Sequence, residues 1–123
     1  MSVKILIVED DKNLNLMLRL VLKNHKVDWE FKSARDGVEA LEVLEHYAAD
    51  VALVDLEMPR MNGIELIQRI KADPRRSAIR LAVLTSRTDG EARDDVEAAG
   101  VANFWLKPIY PEVLYANLKA LLG

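Results

Sequence analysis

Val51-Ala52-Leu53-Val54-Asp55-Leu56-Glu57-Met58-Pro59-Arg60-Met61-Asn62-Gly63 is the stretch that decides how this chain folds. Four apolar residues run without a break into Asp55, and a proline-containing loop closed by Gly63 follows. An apolar run bounded in this way reads as a strand buried on both faces, which is the habit of a parallel sheet. Asp55 then stands at the carboxyl end of its strand, the edge at which open α/β sheets bind ligands. A carboxylate there either caps the following loop or is a reactive group, and the rest of the chain chooses between the two.

Toward the amino terminus, Ile5-Leu6-Ile7-Val8 is a second unbroken run, and it ends in Glu9-Asp10-Asp11. Leu14, Met17, Leu18, Val21 and Leu22 then recur at helical spacing and predict an amphipathic helix from Lys12 to about Asn24, with that stripe in the core. Val27 to Lys32 alternates weakly and reads as a short strand nearer a sheet edge, where Trp29 packs rather than binds. Ala34-Arg35-Asp36-Gly37 is a loop with a cap, ahead of a second helix marked by Val38, Leu41 and Leu44 and reaching about His46.

Toward the carboxyl terminus, Ile64, Ile67 and Ile70 mark a third helix to about Ala72, which Asp73-Pro74-Arg75-Arg76-Ser77 breaks. Ile79 to Leu84 is a fourth strand, ending in Thr85-Ser86-Arg87. The fourth helix, Gly90 to about Gly100, carries a thin stripe of Ala92, Val96 and Ala99 and is expected to be the least firmly held. Asn103-Phe104-Trp105-Leu106 is a fifth strand running into Lys107-Pro108. Pro111 opens a last helix with Val113, Leu114, Leu118 and Leu121 inward. Five strands alternating with five helices over short connections predict an α/β fold: a doubly wound parallel sheet with helices on both faces.

Bulk properties narrow the function. The 123 residues fit one domain, 1–123, and the 50% apolar content suffices for one core. The net charge of −3, with acids spread along the chain, argues against a nucleic-acid footprint. There is no cysteine, which excludes disulfides, thiolate metal sites and cysteine nucleophiles and suits a reducing cytoplasm. The amino-terminal apolar stretch stops at Glu9, too soon for a signal peptide or membrane span, so a cytoplasmic location without membrane contact is expected.

The conspicuous polar residues all fall at carboxyl ends of strands: Glu9, Asp10 and Asp11; Asp55 and Glu57; Thr85 and Ser86; Lys107. The first and third strands neighbour each other at the switch point of such a sheet, so Asp10 and Asp55 are expected to meet. Two carboxylates about 5 Å apart at an effective dielectric near 20 repel by roughly 3 kcal/mol. Such a cluster calls for a cation or for raised pKa values, and carboxylates with a backbone carbonyl and waters are the ligands Mg²⁺ prefers. Asp55 can then act as a nucleophile on phosphorus, with Lys107 and the metal neutralising phosphoryl oxygens and the Thr85 hydroxyl donating to another. No glycine-rich phosphate loop is present, so the donor brings its own phosphate.

With these residues in hand, the chain resembles a receiver domain of two-component response regulators of the chemotaxis-regulator type, over essentially its whole length. The resemblance rests on Ile5-Leu6-Ile7-Val8-Glu9-Asp10, on Asp55 to Gly63, on Thr85-Ser86 and on Lys107-Pro108. It implies a flavodoxin-like sheet of strand order 2-1-3-4-5. It also implies a phosphoacceptor role for Asp55, Mg²⁺ binding by Glu9, Asp10, Asp55 and the Glu57 carbonyl, a phosphate-sensing hydroxyl at Thr85 and an ion pair from Lys107. The phosphoryl donor would be a histidine kinase or a histidine phosphotransfer protein. Phe104 occupies the place of the family's switch aromatic, without a hydroxyl, so that an inward swing is driven by packing alone; a static packed Phe is the alternative.

Further expectations concern the surroundings. Asp11 reads as a helix-start residue. Trp105 and Tyr110 point to a partner-docking surface on the fourth helix, fifth strand and fifth helix, with phosphorylation-dependent dimerisation left open. Glu57 and Arg87 are expected to pair across the site mouth, hinder the hydrolytic water and slow self-dephosphorylation. His25 and His46 read as surface residues. Asp10→Asn is expected to stabilise the metal-free fold and abolish Mg²⁺ stabilisation. The reading is a signalling module that catalyses its own modification rather than a turnover enzyme. Its alternatives are a phosphorylation-independent interaction module of the same fold and a Mg²⁺-dependent aspartyl-phosphate phosphatase. Because Gly123 ends the chain, no DNA-binding or enzymatic output domain is expected in it.

Overall fold

A computed structural model describes residues 2–9, 11–58 and 60–123. The elements alternate as β1 (Val3–Val8), α1 (Lys12–His25), β2 (Trp29–Ala34), α2 (Gly37–Leu44), β3 (Val51–Val54), α3 (Gly63–Ala72), β4 (Arg80–Thr85), α4 (Gly90–Ala98), β5 (Asn103–Leu106) and α5 (Pro111–Leu122). The strands form one parallel sheet in the order β2-β1-β3-β4-β5, as the family resemblance implies. β1 and β3 therefore lie side by side, with Val8 opposite Val54, and their carboxyl ends deliver Glu9 and Asp55 to one place.

Ile5 to Val8 and Val51 to Val54 are buried on both faces, which explains their unbroken apolar run. Leu6, Val8, Ala52 and Val54 face a core closed by α2, α3 and α4, through Ala40, Leu44, Leu66, Ile67, Ile70, Ala92 and Val96. Ile5, Ile7, Val51 and Leu53 face the other core, closed by Leu14 and Leu18 of α1 and Leu114 and Leu118 of α5. The α4 stripe is thin as expected, with only Ala92 and Val96 buried.

Several sequence expectations shift. β2 lies two residues later than predicted because Ser33 and Ala34 complete the pairing with Ile7 and Val8 of β1. α2 stops at Leu44, short of His46, and α4 at Ala98, where Gly100 takes a left-handed turn at φ 84°. Val113, predicted inward, is 49% exposed: the buried side of α5 is set by Leu114 and Leu118, and Val113 falls beside that arc.

Candidate functional site

The site is built from strand ends. Asp55 follows β3, and its backbone N–H donates to the Val8 carbonyl at 3.0 Å, which holds the residue against the end of β1. One carboxylate oxygen accepts the Glu57 N–H at 3.3 Å. One oxygen of Asp55 thus caps the loop, while the other faces Lys107. Lys107 Nζ lies 3.6 Å from Asp55 Oδ2 and 2.6 Å from Glu9 Oε2. The lysine backbone is fixed from the neighbouring strand, where the Thr85 carbonyl accepts the Lys107 N–H at 2.8 Å, and the peptide to Pro108 is cis.

Glu9 is buried, and burial pushes its carboxyl above the ordinary carboxylate range. The hydrogen bond from Lys107 opposes that rise and the charge on Asp55 adds to it. Two carboxylates thus share one ammonium in a largely enclosed place. This donor set fits a hard divalent cation: oxygen ligands with a surplus of negative charge, and nothing soft. Among the described residues, no three histidine or carboxylate side chains converge as a metal site. Asp10, and with it the predicted meeting with Asp55, lies outside the described residues. Asp11 starts α1, its Oδ1 accepting the Asn13 N–H at 2.8 Å.

Thr85 is buried at the end of β4, and its Oγ1 accepts the Arg87 N–H at 3.2 Å. Arg87 also reaches Glu57, Nε to Oε1 at 3.5 Å, so the pair expected at the site mouth forms. Its shorter partner is Asp89 at 2.9 Å, the residue that caps α4, so Arg87 divides itself between the mouth and the helix. Phe104, on β5 opposite Val83, is half-buried, with the Arg93 guanidinium of α4 stacked 4.6 Å from its ring centre. Leu106 and Tyr110 are exposed nearby, at 40% and 76%.

Two features escaped the sequence reading. His25 is no solvated histidine: it stacks on Tyr115 at 3.6 Å and meets Glu112 Oε2 at 2.9 Å, joining α1 to α5. Asp36 pairs with Arg60, 24 residues away, across the loop after Asp55. An isolated Arg in a polar loop gave no signal of this. His46 is exposed, as expected.

With this geometry, the comparisons with known proteins agree closely. The family model for the response regulator receiver domain matches residues 5–119. The chain is 33% identical over 123 residues to the chemotaxis protein CheY1 of Helicobacter pylori, covering 98% of this chain and 97% of that one. Its fold superposes on the chemotaxis response regulator CheY4 of Vibrio cholerae with a TM-score of 0.87 and 27% identity, over 98% of this chain and 99% of that one. The phosphorylated cyanobacterial phytochrome response regulator RcpA is also similar, with a TM-score of 0.83, 28% identity, and 98% and 91% of the two chains covered. No helix among the described residues is long and apolar enough to cross a membrane. Fold order, strand-end acids and sequence matches together make this chain a member of the response regulator receiver domain family.

Proposed function

We propose that the chain is a phosphorylation-switched signalling domain, 1–123, whose Asp55 accepts a phosphoryl group from a histidine kinase or a histidine phosphotransfer protein in a Mg²⁺-dependent reaction. The supporting observation is the charge balance at the sheet edge, where Glu9 and Asp55 share the single ammonium of Lys107 at 2.6 and 3.6 Å. Mg²⁺ held by Glu9, Asp10, Asp55 and the Glu57 carbonyl would cancel the surplus and neutralise charge on the transferred phosphoryl oxygens.

The chain's own groups do the rest. An Asp55 carboxylate oxygen forms the new bond to phosphorus, while the bond from phosphorus to the donor atom breaks and the donor leaves with that electron pair. Lys107, already within 3.6 Å of Asp55, turns its ammonium to a phosphoryl oxygen. Thr85 Oγ1 accepts the Arg87 N–H, which leaves its own proton to donate to a second phosphoryl oxygen. Phe104 moves inward as Thr85 is drawn to the phosphoryl group, and it must first leave the Arg93 guanidinium. Exposed Leu106, Tyr110 and Val113, beside Trp105, form the surface through which a downstream protein reads the change. We place the domain in the cytoplasm and assign it no steady turnover of a separate substrate.

Intact-mass spectrometry after incubation with acetyl phosphate, with and without Mg²⁺, tests the reading on wild type and Asp55→Asn. A Mg²⁺-dependent gain of one phosphoryl group in wild type, absent from the variant, supports it. No gain in either protein would replace it with a phosphorylation-independent binding module. Steady hydrolysis of a phosphomonoester would point to a phosphatase.

A further inference from the structure

The loop after Asp55 is fastened at three points. At its far end the Gly63 N–H donates to the Leu56 carbonyl at 3.1 Å. A Cβ on Gly63 would lie 2.4 Å from the Asp55 carbonyl oxygen, so only glycine lets the chain return this closely. Next, Met61 packs so tightly on the first turn of α2 that a Cβ on Gly37 would lie 2.8 Å from its side chain. Beside it, Arg60 forks onto Asp36, with Nε to Oδ2 at 2.9 Å and Nη2 to Oδ1 at 3.0 Å.

The third attachment is more than a surface ion pair. Asp36 is only 6% exposed, and the same carboxylate caps α2 by accepting the Glu39 N–H at 2.9 Å. Arg60 makes this pair from a left-handed backbone, φ 66°, where any side chain with a Cβ is strained. A glycine would hold that backbone without strain, and a solvated arginine would not need it. A strained arginine locked by a bidentate pair to a buried, helix-capping carboxylate is a device for fixing position.

We infer that Asp36 and Arg60 are positioning residues for the Asp55 site: their pair ties the span between Asp55 and Gly63, in which Glu57 lies, to the start of α2. The inference rests on the phosphoacceptor reading above, because it gives the fixed span a metal and a phosphoryl group to meet.

Arg60→Gly is the decisive variant, since it removes the fork while suiting φ 66°. Three quantities are measured on it, on Arg60→Lys, on Asp36→Asn and on wild type: Mg²⁺ affinity by calorimetry, kcat and KM for phosphorylation by acetyl phosphate, and amide exchange of Gly63 in Mg²⁺-free protein. Arg60→Gly should weaken Mg²⁺ binding about tenfold, speed Gly63 exchange and lower kcat at subsaturating Mg²⁺ with little change in KM. Arg60→Lys keeps the charge but not the fork and should fall between it and wild type. Asp36→Asn should follow Arg60→Gly in direction. Arg60→Gly with wild-type Mg²⁺ affinity and wild-type Gly63 exchange overturns the inference, whatever its melting temperature. A wild-type chain that binds Mg²⁺ yet takes no phosphoryl group sinks the phosphoacceptor reading instead, and the Mg²⁺ affinities and exchange rates still judge the tether. A wild-type chain that binds no Mg²⁺ overturns both.

Discussion

The two edges of the sheet treat charge in opposite ways. At the amino edge, Arg76 is buried and pairs with Glu45 at 2.6 Å and Asp73 at 3.5 Å, while Arg75 reaches Asp73 at 2.9 Å and Glu45 at 3.6 Å. Arg80 there closes the end of α5 by donating to the carbonyls of Leu121 and Leu122. Arg75 and Arg76 meet two acids and those four charges cancel, while Arg80 is matched by the carbonyl end of a helix. At the carboxyl edge, Glu9 and Asp55 meet only Lys107 among the described residues, and one negative charge is left over. An edge that only has to be stable closes its own charges; the edge to which we assign a cation and a phosphoryl group leaves them open.

That contrast can be broken from either side. Arg76→Ala should cost about 2 kcal/mol in urea unfolding, between the values for exposed and buried pairs, and should leave the Mg²⁺ response untouched; a change in that response would mean the edges are coupled. Glu9→Gln should do the reverse, raising metal-free stability by about 1 kcal/mol as a desolvated charge and its repulsion with Asp55 disappear and weakening Mg²⁺ stabilisation. A destabilised metal-free variant would show that the Glu9 to Lys107 pair outweighs the repulsion. Replacing Glu57 and Arg87 together by alanine should shorten the phosphoryl lifetime about threefold, the scale of one exposed ion pair, read by the decay of the phosphorylated mass. The effect is small because Arg87 already leans on Asp89 at 2.9 Å.

The smallest effect concerns pH. The hydrogen bond from Arg75 holds the Asp73 carboxyl down at about 2, below its ordinary 3.8. A folded-state value below the unfolded one means stability fully present above pH 3.8 and lost as pH falls through about 2. Asp73→Asn removes this term, so its unfolding free energy should vary less with pH across that window than that of wild type. An unchanged slope would remove Asp73 from the acid limb.

Much of this was legible in the residues. The runs Ile5 to Val8 and Val51 to Val54 disclosed a doubly covered sheet, because only strands buried on both faces dispense with polar alternation. The meeting of Glu9 and Asp55 at one sheet edge was legible for the same reason, since each follows such a run directly. What was hidden depended on contacts distant in sequence. The end of β2 was fixed by its pairing with Ile7 and Val8, not by its own weak alternation. Val113 looked like core because an apolar residue beside Leu114 fits a helical stripe, yet the arc that α5 buries is narrow. His25 read as a surface residue and Arg60 carried no signal of a partner, and only the fold brings Tyr115 and Asp36 to them.

The most direct test of the open carboxyl edge is thermal melting with and without Mg²⁺ on wild type, Arg76→Ala, Glu9→Gln and Asp55→Asn. At tenfold excess over its dissociation constant, Mg²⁺ should add about 1.4 kcal/mol, or roughly 5 °C in Tm, to wild type and Arg76→Ala, and much less to Glu9→Gln and Asp55→Asn. Equal shifts in all four proteins, or none in wild type, would contradict the account.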